Sequence, residues 1–307
     1  MNVPNIDKEL LKKVANIKED DGTAINIRKN GKLLTRKITE NVTIKTKEDG
    51  SGIDIFIKEN APTSFVYIPV IVTESGLEDV VYNDFHIGKN AKAVIVAGCA
   101  IHNNKDKKTS HNGIHRFYGE ENSKIKYIEK HYGEGKGQGH KILDPVTEIY
   151  LEKGSKLEMD TTQIEGVDKT KRITKAILKD DSTLIISEKI MTNSKQKAET
   201  IFDVELKGEN SSCHVVSRSV ATDNSKQVFR SKVFGNSKCY GHVECDAIIK
   251  DNANVIAVPK ISAKHVDANL IHEATIGKIA GEQLIKLMSL GLTEKEAEKQ
   301  IIDGFLK

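Results

Sequence analysis

LKDDSTLIISE, residues Leu178–Glu188, is one of seven segments written to a single plan: Asn, Gly or Asp, then Ser or Ala, then a polar residue and a strand-like alternation. The others are IGKNAKAVIVA (Ile87–Ala97), GEENSKIKYIE (Gly119–Glu129), LEKGSKLEMDT (Leu151–Thr161), LKGENSSCHVV (Leu206–Val216), FGNSKCYGHVE (Phe234–Glu244) and IKDNANVIAVP (Ile249–Pro259). Their Ser/Ala positions, Ala91, Ser123, Ser155, Ser182, Ser211, Ser237 and Ala253, are spaced by 32, 32, 27, 29, 26 and 16 residues. A period of this size with strands in each unit predicts a solenoid of stacked β-coils, in which each coil covers the next. Asn, Gly or Asp before a small residue suits the left-handed corner between two strands. The competing architecture, a β-sandwich of ordinary hairpins, calls for turns every 8 to 12 residues with no shared sequence.

The flanks are helical. Leu10, Leu11, Val14 and Ile17 recur at helical spacing between Asp7 and Ile17, which predicts a short amphipathic helix packed on the first layer of the solenoid. From Thr275 the period turns helical again, with Ile276, Ile279, Leu284, Leu287 and Met288 on one stripe. Gly291 is placed to end that helix, and Thr293 with Glu296 forms a capping box for a second carrying Ala297, Ile301 and Phe305. The chain therefore divides into a helix over 1–22, a β-solenoid over 23–273 and a helical segment over 274–307.

Composition restricts the function. Forty-seven basic residues against 44 acidic ones leave a net charge of +3 with no polybasic block, which does not point to nucleic acid. No apolar run approaches the length of a membrane span, and MNVPNIDKELLKKV carries charges where a signal peptide needs apolar residues, so a cytoplasmic location is expected. Four scattered cysteines, Cys99, Cys213, Cys239 and Cys245, form no C-x-x-C pair and read as free thiols.

Chemistry concentrates between Gly241 and Gln283, where Cys245, His272 and Glu273 fall close to the change from strand to helix. Cys245 alternates with Val243, Ala247 and Ile249, so parity turns it inward, as for a small core residue. His272 and Glu273 are adjacent and in a strand point to opposite sides. A thiolate with an imidazole or carboxylate suits iron, zinc or an iron–sulfur intermediate. A single such segment supplies too few ligands for a cluster, so a cluster here requires two copies about a two-fold axis. His102, His111 and His115 form a second, weaker group in what reads as a loop, and HYGEGKGQGH (His131–His140) reads as a flexible glycine-rich loop without the ending of a phosphate loop.

The C-terminal third resembles the SufB/SufD family of iron–sulfur cluster assembly proteins. The match is carried in order by Cys245–Asp246, His272–Glu273–Ala274, Lys278–Ile279, Gly281–Leu284, Gly291–Leu292 and Gly304–Phe305. The resemblance implies a right-handed parallel β-helix followed by helices that bind a separate ABC-type ATPase, SufC; Ile279, Leu284, Leu287, Ile301 and Phe305 are the residues expected to dock it. It also implies that Cys245 accepts sulfur and holds a nascent, transient iron–sulfur cluster, that Glu273 partners it, and that His272 is a neighbouring ligand. With both Cys245 and Glu273 the chain looks like a compact SufB-like scaffold, not itself an enzyme, in which a homodimer replaces a SufB–SufD pair and passes clusters to apo recipient proteins. Where the family's further sulfur-receiving cysteine would fall, near Phe117–Tyr118, this chain has no thiol, which makes free sulfide the expected donor. Two other readings stay open: a SufD-like structural partner without a cluster, and a β-helix enzyme acting on polysaccharides through carboxylates such as Glu244 and Asp246.

Overall fold

The computed structural model describes residues 5–17 and 22–307. One helix, α1 (Asn5–Val14), precedes the strands β1 (Thr23–Lys29), β2 (Lys32–Lys37), β3 (Val42–Thr46), β4 (Gly52–Ile57), β5 (Ser64–Val72), β6 (Glu78–Ile87), β7 (Lys92–His102), β8 (Thr109–Gly119), β9 (Lys124–Glu134) and β10 (Lys141–Leu143). The chain continues through β11 (Val146–Leu151), β12 (Lys156–Glu165), β13 (Lys169–Leu178), β14 (Thr183–Thr192), β15 (Lys197–Leu206), β16 (Ser212–Ala221), β17 (Lys226–Gly235), β18 (Tyr240–Ile249), β19 (Asn254–Ala263) and β20 (Asn269–Gly277), then α2 (Gly281–Ser289) and α3 (Glu294–Phe305).

From β4 onward the chain alternates between two ten-stranded sheets, β10 and β11 together forming one interrupted strand of the second. The first runs β2-β1-β5-β7-β9-β12-β14-β16-β18-β20, and the second runs from β19 back to β3. Every pairing from β5 onward is parallel and joins one coil to the next, as between β16 and β18, where Ser217 opposes Cys245. The molecule is a β-solenoid of about eight turns. Inward positions alternate with outward ones along the strands; Ile95, Tyr127, Leu157, Ile186, Phe202 and Val215 belong to the main core, and Val70, Val72, Cys99, Ile101, Leu143 and Val167 form a smaller cluster apart from it.

The corners follow the repeat. Asn90, Asn122, Gly154, Asp181 and Asn210 adopt φ between +56° and +67°, and the residues after them, Ala91, Ser123, Ser155, Ser182 and Ser211, are fully buried. Asn60 and Ala61 begin one further coil of the same kind. The short last spacing of the repeat has a simple origin. Asp251 and Ala253 turn the chain into the second sheet, at the opposite edge shared with Ser194 and Asp223, so the interval of 16 residues from Ser237 measures about half a coil.

Helix α1 lies across the outside of the first sheet on β5, β7 and β9. Leu10 and Val14 pack on Ile71 and Ala100, and buried Asp7 pairs with Lys29 at 2.6 Å. At the other end the helical pattern begins later than periodicity predicts, because β20 keeps its ladder to β18 as far as Gly277 and places Ile276 in a strand. Gly291 then ends α2 with φ +97°, and Thr293 and Glu296 form the expected capping box of α3.

Candidate functional site

β18 and β20 are the last two strands of the first sheet, and their register separates the three predicted ligands. Val243 opposes His272, Glu244 opposes Glu273 and Cys245 opposes Ala274. Cys245 and Val243 are both 2% exposed, so Cys245 and His272 take the inner face while Glu273 takes the outer face beside Glu244. Parity thus acts on the whole ladder. The structure brings Cys245 and His272 to one side and sets Glu273 on the other.

Cys245 faces a cavity of about 10 Å³ lined also by Glu188, Ser217, Thr200 and Phe229, room for roughly one water. Burial pushes its thiol up to about 12, and the Glu188 carboxylate adds to the rise. A thiol held protonated in this way is a poor nucleophile until a metal or a conformational change assists it. His272 is partly buried, with neither ring nitrogen hydrogen-bonded; burial, with His242 adding, lowers its pKa and favours the neutral, ligand-competent imidazole. Glu273 is 64% exposed, 3.7 Å from the Nε2 of His242. Among the described residues no three His, Cys, Asp or Glu side chains are already gathered to hold a metal ion. One chain contributes a single thiol here, so its donor set fits part of a cluster.

This coil is also the open end of the solenoid. Ala257, Ala268 and Leu270 pack only partly on the core, and Ile256, Val258 and Ile261 of β19 are 47%, 40% and 43% exposed. Among the described residues β20 borders β18 alone and β19 borders β17 alone, which leaves the outer edge of both unpaired. Three residues after β20, α2 and α3 pack on one another. Of the stripe expected to dock a partner, Ile279, Leu284, Leu287, Ile301 and Phe305 are half-buried, whereas Ile285 (67%), Met288 (43%) and Leu290 (76%) carry the exposed apolar surface.

The interior upstream of Cys245 is unexpectedly ionic. Buried Arg172 donates to Glu129 and lies 3.6 Å from Glu188, which accepts from Ser217 at 2.8 Å and Thr200 at 3.1 Å. Burial alone would raise the Glu129 carboxyl, but the charges of Arg172 and His131 override it and hold the group well below the usual range. Asn83, His115 and Tyr127 extend this network at 3.2, 2.7 and 2.9 Å as far as Glu129. A second cavity, of about 20 Å³, is lined by Cys99, His111, His115, Glu129 and His131. The sequence reading missed Glu129, Arg172 and Glu188; the signal was present, since each sits at the inward parity of its strand, Glu129 with Ile125 and Tyr127.

The histidine loop is a strand. His111 and His115 lie on β8 facing the interior, His111 held by Asp79 at 2.8 Å, while His102 ends β7 in the other sheet against Glu134 at 2.8 Å. The first residues of the glycine-rich stretch, His131–Glu134, likewise belong to β9. Polar inward positions hid the alternation that marks a strand.

A family model described as the SUF system FeS cluster assembly, SufBD core domain, matches residues 80–305. The chain belongs to the SufBD family. Among similar SufBD proteins are iron-sulfur cluster assembly SufBD family proteins of Methanocaldococcus jannaschii, 27% identical over 91% of this chain and 88% of that protein, and of Pyrococcus horikoshii, 30% identical over 84% and 78%. A third, from Archaeoglobus fulgidus, is 27% identical over 90% and 73%. SufBD membership places the chain in the setting of iron–sulfur cluster assembly. Among the described residues no helix is long and apolar enough to cross a membrane.

Proposed function

We propose that this SufBD protein is a non-enzymatic, cytoplasmic scaffold that builds iron–sulfur clusters as a homodimer, with Cys245, His272 and Glu273 of each copy holding iron and sulfide at the shared interface. The observation that carries this reading is the open coil itself: unpaired strand edges, half-covered apolar side chains and an unpartnered His272 stand together where Cys245 lies one strand from the edge. A second copy about a two-fold axis would pair the edges, cover Leu270 and Ile261, and double the thiols.

Glu273 on β20 and Cys245 on β18 lie on opposite faces of the sheet, so both reach one cluster only when β20 shifts against β18. The α2–α3 hairpin is attached to β20 by Lys278–Ala280, and a separate SufC-like ABC ATPase docked on Ile285, Met288 and Leu290, with Leu284, Leu287, Ile301 and Phe305 beneath, would pull on that link. Nucleotide-driven movement of the ATPase would then shift the population from a buried, protonated Cys245 toward an exposed thiolate. Metal coordination removes the thiol proton, which overcomes the elevated pKa. The transient cluster would pass to apo recipient proteins. The lack of a thiol at Phe117 and Tyr118 supports free sulfide as the donor: Phe117 is core, and Tyr118 stacks outward between His86 and Tyr150.

Anaerobic reconstitution with ferric ion, sulfide and a thiol reductant tests the reading. The dimer should acquire visible charge-transfer absorption and bind iron and sulfide, and Cys245→Ser should bind neither as a cluster. If the wild type stays monomeric and cluster-free even with the ATPase present, the SufD-like role as a structural partner replaces this one.

A further inference from the structure

The outer face of the first sheet carries, behind the thiol, donors that cluster assembly at Cys245 does not use. His214, His242 and Glu273 lie on β16, β18 and β20, three strands in lateral sequence. The His214 and His242 rings are 5.0 Å apart, edge to face. His242 Nε2 is buried and has no hydrogen-bond partner, and the nearest carboxylate oxygen to it in an ion pair is that of Glu273, at 3.7 Å. Donor atoms bound about 2.0–2.2 Å from one ion stand roughly 3–3.5 Å apart, so the 3.7 Å between His242 and Glu273 exceeds the separation of two donors sharing an ion by less than about 1 Å. Glu244 opposes Glu273, and Asp246 lies two residues further along the same face. Arg218, which opposes Asp246, is the cation facing them, so three carboxylates outnumber it and leave the patch attractive to a cation.

We propose that His214, His242 and Glu273 capture a single ferrous ion on the outer face and present it to the open end. Two imidazoles and one carboxylate form a ligand set suited to ferrous iron and unsuited to magnesium or calcium. The side chains are not yet gathered. The ion draws them together, which costs little at partly exposed positions on one sheet face. Glu273 then has two successive roles, as it sits on the edge strand: ligand to the incoming ion on the outer face, and ligand to the cluster when β20 shifts. The inference rests on the assembly reading, which it supplies with an iron entry point on the side of the sheet away from the buried thiol.

Ferrous binding is measured on the Cys245→Ser full-length chain by anaerobic equilibrium dialysis, with cobalt(II) visible absorption as the spectroscopic probe. One ion per chain is expected, and His214→Gln with His242→Gln should weaken it by at least about tenfold, whereas His140→Ala, on an exposed histidine elsewhere, should leave it unchanged. In a chain retaining Cys245, the same double variant should slow cluster formation at limiting iron and recover with excess iron. No ferrous binding by Cys245→Ser, or equal binding by the double variant, overturns the capture site. A wild-type chain that binds ferrous ion but never builds a cluster overturns the assembly reading instead, so the two failures are distinct.

Discussion

Cys245 and Glu273 sit on neighbouring strands but on opposite faces of the sheet, because Glu273 opposes Glu244 while Cys245 opposes Ala274. One is sealed in the core and the other is 64% exposed. Substitution should therefore separate folding from function at Glu273. Glu273→Gln removes a surface charge and should change stability by no more than about 0.5 kcal/mol in urea unfolding. Iron and sulfide retained after reconstitution should nevertheless fall to a minority of the wild-type amount. Full cluster content in Glu273→Gln would remove Glu273 from the ligand set and leave Cys245 and His272 to hold the cluster.

Arg172 joins two buried carboxylates from different coils, Glu129 and Glu188. Removing the cation leaves Glu129 with His131 and Tyr127, and Glu188 with Thr200 and Ser217, to stabilise their charges in the core. Arg172→Met should cost about 3–5 kcal/mol of stability, the cost of breaking a buried ionic group by deleting one member. Adding Glu129→Gln and Glu188→Gln should recover most of it, since neutral amides carry a far smaller desolvation penalty. Urea midpoints of the single and triple variants make the comparison.

The hydrogen bonds of His115 fix its protonation. Asn83 donates to Nε2, and Nδ1–H donates to Tyr127, whose hydroxyl donates to Glu129. Burial lowers the imidazole from 6.5 to about 4, despite the opposing charge of Glu129. The unfolded chain therefore binds this proton first as pH falls. His115 contributes stability that is complete above pH 6.5 and is lost progressively toward pH 4. His131, also lowered chiefly by burial, acts in the same direction. Thermal melts should show Tm falling between pH 7.5 and 5, with a smaller fall in His115→Asn. An equal fall in both would assign the acid sensitivity to other groups.

The solenoid was legible because its corners repeat. A left-handed residue before a buried small one recurs from Asn60 to Asn210, and such corners tolerate few residue types. Parity also placed Cys245 inside. Its limit was the interior polar network: Glu129, Arg172, Glu188 and His115 occupy core positions because coils stacked at neighbouring registers satisfy them, and such partners, 12 to 43 residues away, leave no local trace. For the same reason β8 looked like a loop. The separation of Cys245 from Glu273 needed the register of β18 against β20, which no single strand encodes.

Gly98 offers a final test, at the seat of α1. A Cβ there would stand 2.7 Å from the Val14 carbonyl oxygen and 2.8 Å from the Val14 Cβ. Both are closer than contact permits, and the carbonyl belongs to helix backbone that cannot rotate aside. Gly98→Ala should therefore lift α1 from β7, with a smaller adjustment against the Lys130 carbonyl oxygen of β9 at 3.0 Å, at a cost of about 1–3 kcal/mol. The loss of Leu10 and Val14 from their seat on Ile71 and Ala100 would expose the N-terminal segment to proteases. Limited proteolysis should cut the variant before Thr23 at a rate well above wild type, with the fragment from β1 onward persisting. Wild-type resistance in Gly98→Ala would mean that the helix shifts along the sheet to accommodate the methyl group and that this close approach does not determine its docking.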